Sequence, residues 1–196
     1  MIYGIGRNYA DHAKELGNQA PPAASESPMV FFKPHSSIVL SGGTVHLPPF
    51  SKNVHYEGEL AVKLGRELEI SEIAIGNDLT ARDIQKEAQD SKGPWALAKG
   101  FKQSCGIGNW VSASGVDLSN LEIKVFLNEK VVQHGFTKDM IFKVSQLVKY
   151  LESTFPLEPG DIILTGTPSG VGPVKPGDEL KAELLGLSKG FWRFAT

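Results

Sequence analysis

The apolar positions along the chain fall mostly in short runs cut by glycine or proline, and only two stretches space them for a longer helix. Met1 to Gly6 is apolar and glycine-punctuated, and reads as a strand that ends in a turn. From Asn8 to Leu16, Tyr9, His12, Ala13 and Leu16 recur at i, i+3, i+4 and i+7, which predicts a short amphipathic helix. Met140 to Phe155 carries Phe142, Val144, Leu147, Val148 and Leu151 at helical spacing, and Pro156 stops it. Strands are predicted at Met29 to Phe32, Ser37 to Leu40, Thr44 to Leu47, Glu57 to Leu64, Cys105 to Val111, Leu121 to Leu127, Lys130 to His134, Asp161 to Thr165 and Asp178 to Leu184. Gly76 to Gln89 reads as a turn followed by a helix that starts near Ala81, and Asn128 and Glu129 as the tight turn of a hairpin. Strands outnumber helices and do not alternate with them, which favours an α+β fold around a mixed or antiparallel β roll over a doubly wound sheet. Asn18 to Pro28 is rich in Ala, Pro and Ser without periodicity and is expected to be a surface loop. Residues 8–28 are thus a candidate lid, a helix tethered by a loop, on one domain spanning residues 1–196.

Length and composition fit that picture, since 196 residues with 41% hydrophobic and 21% charged positions suffice to bury a core. The net charge of -2 and the lack of a basic cluster argue against a nucleic-acid or membrane-surface partner. Cys105 is the only cysteine, so no intramolecular disulfide is expected, and a small core residue is the plainer reading than a nucleophile. The start lacks a basic region followed by an apolar stretch, and no run approaches the roughly 20 apolar residues of a spanning helix. Cytoplasm is the expected location.

The chemistry concentrates in Val54-His-Tyr-Glu-Gly-Glu-Leu-Ala-Val62. Side chains alternate between faces of a strand, so Glu57 and Glu59 point the same way and can converge on one hard cation. On spacing alone such a pair is more often a solvated strand face. Here it lies in an apolar run, where carboxylates are costly to bury unless paired or metal-bound. Asp78 follows in Ile75-Gly-Asn-Asp78, and two or three carboxylates with waters and substrate oxygens make a sensible Mg²⁺ shell. Arg82 and Gln85 are spaced for one helix face just after Asp78. Lys99 lies among apolar residues, where an ammonium needs an anionic partner. His12 and Glu15, at i and i+3, are within mutual reach, and a carboxylate that orients an imidazole makes a general base for water. Taken alone, that pair is more often a surface hydrogen bond. Leu164 to Gly172 lacks the ending of a Walker loop; it is a tight loop after a strand, with Thr167 able to offer a hydroxyl and an amide to a ligand oxygen.

Gly6-Arg-Asn-Tyr-Ala-Asp-His-Ala-Lys-Glu-Leu-Gly17, Phe32-Lys-Pro34, Tyr56-Glu-Gly-Glu-Leu-Ala-Val62, Asn77-Asp-Leu-Thr-Ala-Arg-Asp-Ile-Gln85, Lys99-Gly-Phe101, Asp139-Met-Ile-Phe142 and Leu157 to Gly172 together resemble the fumarylacetoacetate hydrolase family, closest to its small single-domain acylpyruvate hydrolase branch. The resemblance runs in order from about Ile2 to Leu184. It implies a mixed β-sheet roll with a few short helices, usually a homodimer. It implies Glu57, Glu59 and Asp78 as ligands of Mg²⁺ (or Mn²⁺), and His12 with Glu15 as a water-activating dyad on a lid. Lys99 would join them in catalysis, with Arg82, Gln85 and Thr167 at substrate-contacting positions. The chain departs from the family pattern in a shorter Gly65 to Gly76 segment, in His55 where Asp is common, and in Gly106 where Pro often follows the Cys.

The expected function is a divalent-metal-dependent hydrolase that cleaves the carbon-carbon bond of a 1,3-diketo acid, of acylpyruvate or fumarylpyruvate type, through a metal-stabilised enolate. The partner would be a small anionic oxo acid. Oxaloacetate decarboxylation, or isomerisation of a 2-hydroxydienoate from aromatic breakdown, needs the same metal and enolate without water attack. A non-catalytic oxo-acid or metal-binding protein is a rival of another class, against which His12, Glu15 and Lys99 argue.

Overall fold

The computed structural model describes residues 1–15 and 27–196. In chain order the elements are β1 (Ile2–Gly6), α1 (Ala10–Glu15), β2 (Met29–Lys33), β3 (Ile38–Leu40), β4 (Thr44–His46), β5 (Val54–Tyr56), β6 (Gly58–Leu64), β7 (Ile70–Asp78), β8 (Thr80–Ala81), α2 (Arg82–Asp90), α3 (Ala96–Lys99), β9 (Cys105–Ile107), β10 (Val111–Ser112), β11 (Glu122–Leu127), β12 (Lys130–Phe136), α4 (Val144–Thr154), β13 (Ile162–Leu164), β14 (Gly172–Pro173), β15 (Glu179–Leu184) and β16 (Ser188–Ala195).

The main sheet is eight-stranded, in the order β2-β1-β13-β6-β7-β9-β3 with β10 paired to β7. A five-stranded sheet, β12-β11-β15-β16-β4, faces it, and β14-β5-β8 form a small third sheet. β1 with β13, β3 with β9 and β16 with β4 run parallel among otherwise antiparallel pairs, so the fold is a mixed β-sheet roll with few short helices. Alternation along β6 and β7 explains the layering. Leu60, Val62, Ile73 and Ile75 enter the large core with Val125, Leu180, Ala182 and Trp192 of the five-stranded sheet. Ala61 and Ala74 join Ile2, Ile107 and Leu164 in a second cluster. Each fully buried Leu or Ile side chain contributes about 1.5–3 kcal/mol, so these two strands contribute heavily to the stability of the core.

Several expected elements differ. The run from Glu57 to Leu64 is broken at Glu57, where the chain passes from the small sheet (β5) into the main one (β6). The expected turn at Gly76 is the end of a nine-residue strand, β7. β16 and α3 were not expected, and α4 starts at Val144 because the chain bends at Ile141 and Phe142, and Lys143, directly before the helix, is extended. The shortened segment after β6 closes as a turn in which Gly65 N donates to Glu69 O at 2.8 Å, leading directly into β7. The expected helix at Asn8 to Leu16 appears as α1, while Leu16 and most of the Asn18 to Pro28 loop lie outside the described residues.

Candidate active site

The pairing of β6 with β7 assembles the acidic residues. Gly58 lies opposite Asn77 and Glu59 opposite Gly76, and Asp78 N donates to Glu57 O at 2.8 Å. Glu59 and, two residues beyond Gly76, Asp78 therefore share one face, with Glu57 at the adjoining strand end. A side chain at Gly76 would come within 2.8 Å of Leu164 Cδ2, so the position opposite Glu59 stays small. Glu57, Glu59 and Asp78 are buried, and one carboxylate oxygen of each lies within 4.8 Å of the others. Asn77, fully buried between them, accepts from Glu57 N through Oδ1 at 3.1 Å.

Cations brace this cluster. Lys99 Nζ donates to Glu57 Oε2 at 2.8 Å, Asp78 Oδ2 at 2.5 Å and Thr80 Oγ1 at 2.6 Å. Arg82 pairs with Glu57 Oε1 and donates to Gln85 Oε1 at 2.6 Å. Lys33, at the end of β2, is fully buried, lies 2.7 Å from Asp78 Oδ1 and donates to Leu79 O at 3.1 Å, Ser104 O at 2.9 Å and Lys99 O. Burial disfavours a charged Glu57, but Lys99 and Arg82 outweigh it and hold its carboxyl well below the ordinary range. Among the described residues Glu59 makes no ion pair. Burial, then the charges of Asp78 and Glu57, push its carboxyl well above the ordinary range, against a hydrogen bond at 2.7 Å from Gly166 N. Burial lowers Lys33, opposed by Asp78, whereas for Lys99 the Asp78 and Glu57 charges overcome burial and raise it.

His12 is buried on α1, and its Nδ1 lies 3.2 Å from Glu15 Oε2. That contact places the proton on Nδ1 and leaves Nε2 free to accept. Glu15 is itself held by Gly170 N at 3.0 and 3.2 Å. His12, Glu57, Glu59, Arg82, Lys99 and Thr167 are among the residues lining one open cavity, with Gln85 beside Arg82. Asp78 reaches it through Lys99, and Glu15 through His12. The Thr167 hydroxyl donates to Gly58 O at 2.9 Å rather than standing free for a ligand. Burial, reinforced by nearby Asp78 and Glu59 and opposed by Lys33, pushes the Cys105 thiol up to about 12, as suits a core residue.

A divalent cation fits these residues. The three carboxylates form an all-oxygen donor set suited to a hard ion, and Glu59 is a buried acid lacking a cationic partner among the described residues. Two supports are not identified by the sequence reading. Lys33 falls in the Phe32-Lys-Pro34 motif, with a charged residue ending an apolar strand as its local signal. Gln133, whose Oε1 accepts from Gly58 N at 2.9 Å, sits in an edge strand of mixed polarity and carries none.

The family model described as "Fumarylacetoacetate (FAA) hydrolase C-terminal" matches residues 1–191. The chain is 41% identical over 198 residues to the mitochondrial oxaloacetate decarboxylase of Dictyostelium discoideum, covering 95% of this chain and 89% of that protein. It is 42% identical over 199 residues to the mitochondrial oxaloacetate tautomerase FAHD1 of Arabidopsis thaliana, covering 96% and 87%. The crystal structure of fumarylpyruvate hydrolase from Pseudomonas aeruginosa in complex with Mn²⁺ and pyruvate matches with a TM-score of 0.91 at 32% identity, over 99% of this chain and 88% of that one. Sequence, fold and the clustered acidic residues agree, and the chain belongs to the fumarylacetoacetate hydrolase family.

Proposed function

We propose that the protein is a divalent-metal-dependent hydrolase that cleaves the carbon-carbon bond of a 1,3-diketo acid of the acylpyruvate type. The observation that carries this reading is the His12–Glu15 pair on the cavity that also holds the carboxylates, because water attack needs a base for that water, whereas decarboxylation releases its enolate by loss of carbon dioxide without one. Glu57, Glu59 and Asp78 would hold Mg²⁺ or Mn²⁺, which supplies Lewis-acid polarisation of the pyruvyl carbonyl.

His12 Nε2 takes a proton from water, whose oxygen attacks the acyl carbonyl. The bond between that carbon and the methylene breaks, its electron pair passing to the pyruvyl half as an enolate. The proton held by His12 then returns to the methylene carbon, so one water and one diketo acid give a carboxylic acid and pyruvate. Glu15 keeps the imidazole in the accepting tautomer and offsets its charge when protonated. Lys99 and Arg82, bonded to Glu57 and Gln85 in this structure, add positive potential where the enolate charge builds.

The decarboxylase and tautomerase relatives favour a second reading, enolate chemistry on oxaloacetate without water attack. A turnover assay with acetylpyruvate, fumarylpyruvate and oxaloacetate, each with Mg²⁺ and with EDTA, separates the two. Mg²⁺-dependent release of pyruvate plus an acid from a diketo acid supports hydrolysis, and turnover of oxaloacetate alone overturns it.

A further inference from the structure

Gln133 is almost wholly buried on β12, the outer strand of the five-stranded sheet, away from the strands that carry the acidic residues. A buried amide is unfavourable unless its donors and acceptor are met, and here they are met by the site. Its Oε1 accepts from Gly58 N at 2.9 Å, and its Nε2 donates to Thr167 Oγ1 and Pro168 O, each at 2.8 Å. Gly58 is the residue between Glu57 and Glu59. Thr167 and Pro168 belong to the loop whose Gly166 N donates to Glu59 and whose Gly170 N donates to Glu15. That loop lies directly on β12, since a side chain at Gly170 would approach Val132 O to 2.2 Å. One amide thus joins the backbone between two acidic residues to the loop that holds the carboxylate behind His12.

We infer that Gln133 is a positioning residue that sets the His12–Glu15 pair relative to the carboxylates, so that water activation depends on it and metal binding does not. The inference rests on the hydrolase reading of that pair. Without the amide, Gly58 N loses its acceptor, while Thr167 keeps its bond to Gly58 O and Asp78 N its bond to Glu57 O, the two bonds that then hold the acidic strand end. Pro168 loses its anchor, and the hold of Gly170 on Glu15 loosens with it.

The test uses the full chain with Gln133→Leu and Gln133→Glu, each also combined with Glu15→Gln. It measures the Mn²⁺ dissociation constant by electron paramagnetic resonance, and kcat and KM for acetylpyruvate. Gln133→Leu is expected to lower kcat by about 10- to 100-fold, the scale of a small misplacement of catalytic groups. KM and Mn²⁺ affinity are expected to stay within about twofold, and in the Glu15→Gln background the loss should shrink to under about threefold, because coupled residues are non-additive. Gln133→Glu has nearly the native shape and guards against misfolding of the leucine variant. It retains the acceptor for Gly58 N, and its kcat is expected to recover relative to wild type on acidification, when the carboxyl regains a donor. Additive losses, or a fall in Mn²⁺ affinity as large as the fall in kcat, would overturn the inference and leave Gln133 a structural strut. Failure of the hydrolase reading shows separately, as wild-type protein that releases no pyruvate from acetylpyruvate, and it removes both.

Discussion

The carboxylate cluster and the His12–Glu15 pair share a cavity but are built differently. The carboxylates stand at the buried, paired ends of β6 and β7 in the main sheet and are braced by Lys33 and Lys99. The pair stands on a helix of six residues, too short to persist alone, held at its start where buried Asn8 bonds Phe142 O, Phe142 N and Thr165 O. On the proposed reading, decarboxylation would need only the first region, whereas hydrolysis, like any tautomerisation that removes a C–H proton, would call on a base as well. A shared scaffold can therefore gain or lose hydrolysis by altering the helix and its anchors while the cation-binding half stays intact.

The sharpest break removes the first region. Glu57→Ala and Asp78→Ala should abolish metal-dependent turnover; Asp78→Ala, which takes the carboxylate from buried Lys33, should also lower metal-free stability by about 3–5 kcal/mol in urea unfolding, and Glu57→Ala, which leaves Lys99 paired with Asp78, by less. Glu59→Gln should abolish turnover with little loss of metal-free stability, because burial and the neighbouring carboxylates disfavour its charge and it makes no ion pair among the described residues; a stability loss matching that of Asp78→Ala would contradict this. Breaking the second region is milder. His12→Ala should slow hydrolysis by about 10² to 10⁴ and leave oxaloacetate decarboxylation nearly intact, and an unchanged hydrolysis rate would remove the base. Glu15→Gln, which keeps the shape and loses the charge, should cost about 10- to 100-fold in kcat, as typically seen when a supporting partner is lost.

The smallest effect is read in pH. Glu59 has its carboxyl raised in the folded metal-free protein, so folding takes up a proton as pH rises above the ordinary carboxylate value. Its contribution to metal-free stability is present at low pH and is lost as pH climbs through the raised value. Glu57 acts oppositely, its contribution being lost as pH falls toward the depressed value. Cation binding must expel the Glu59 proton, so Mg²⁺ affinity by calorimetry should strengthen with pH by up to about tenfold per unit below the raised value. The melting-temperature gain from Mg²⁺ should grow over the same range, and an affinity flat with pH would mean that Glu59 is ionised before the cation arrives.

Much of the cluster was legible because strand alternation and helical spacing are local rules. They placed Glu57 beside Glu59, and His12 beside Glu15, without any knowledge of the sheet. Tertiary effects hid the rest. Gly76, Asn77 and Asp78 carry turn chemistry, yet they end β7 because Asn77 finds its partner across the sheet in Glu57 N and Gly76 must stay small under Leu164. β16 was missed because its inward positions include Ser188 and Gly190. The Trp192 indole covers Gly190, and Ser188 Oγ accepts from Ile75 N at 3.0 Å and donates to Asn109 O at 2.6 Å. Lys33 breaks the rule that lysines are exposed, for partners brought by distant segments that no local pattern reveals.

The short Gly65 turn puts Glu59 and Asp78 on a single antiparallel hairpin, β6 to β7, with Glu57 directly before its first strand. Closing a short loop costs little entropy, so this hairpin is among the first long pairings available to the refolding chain. The acidic residues then meet before the N-terminal helix has anything to dock against. If repulsion among them slows folding at that stage, millimolar Mg²⁺ present during refolding should raise the refolding rate, and an unchanged rate in stopped-flow refolding would remove this brake.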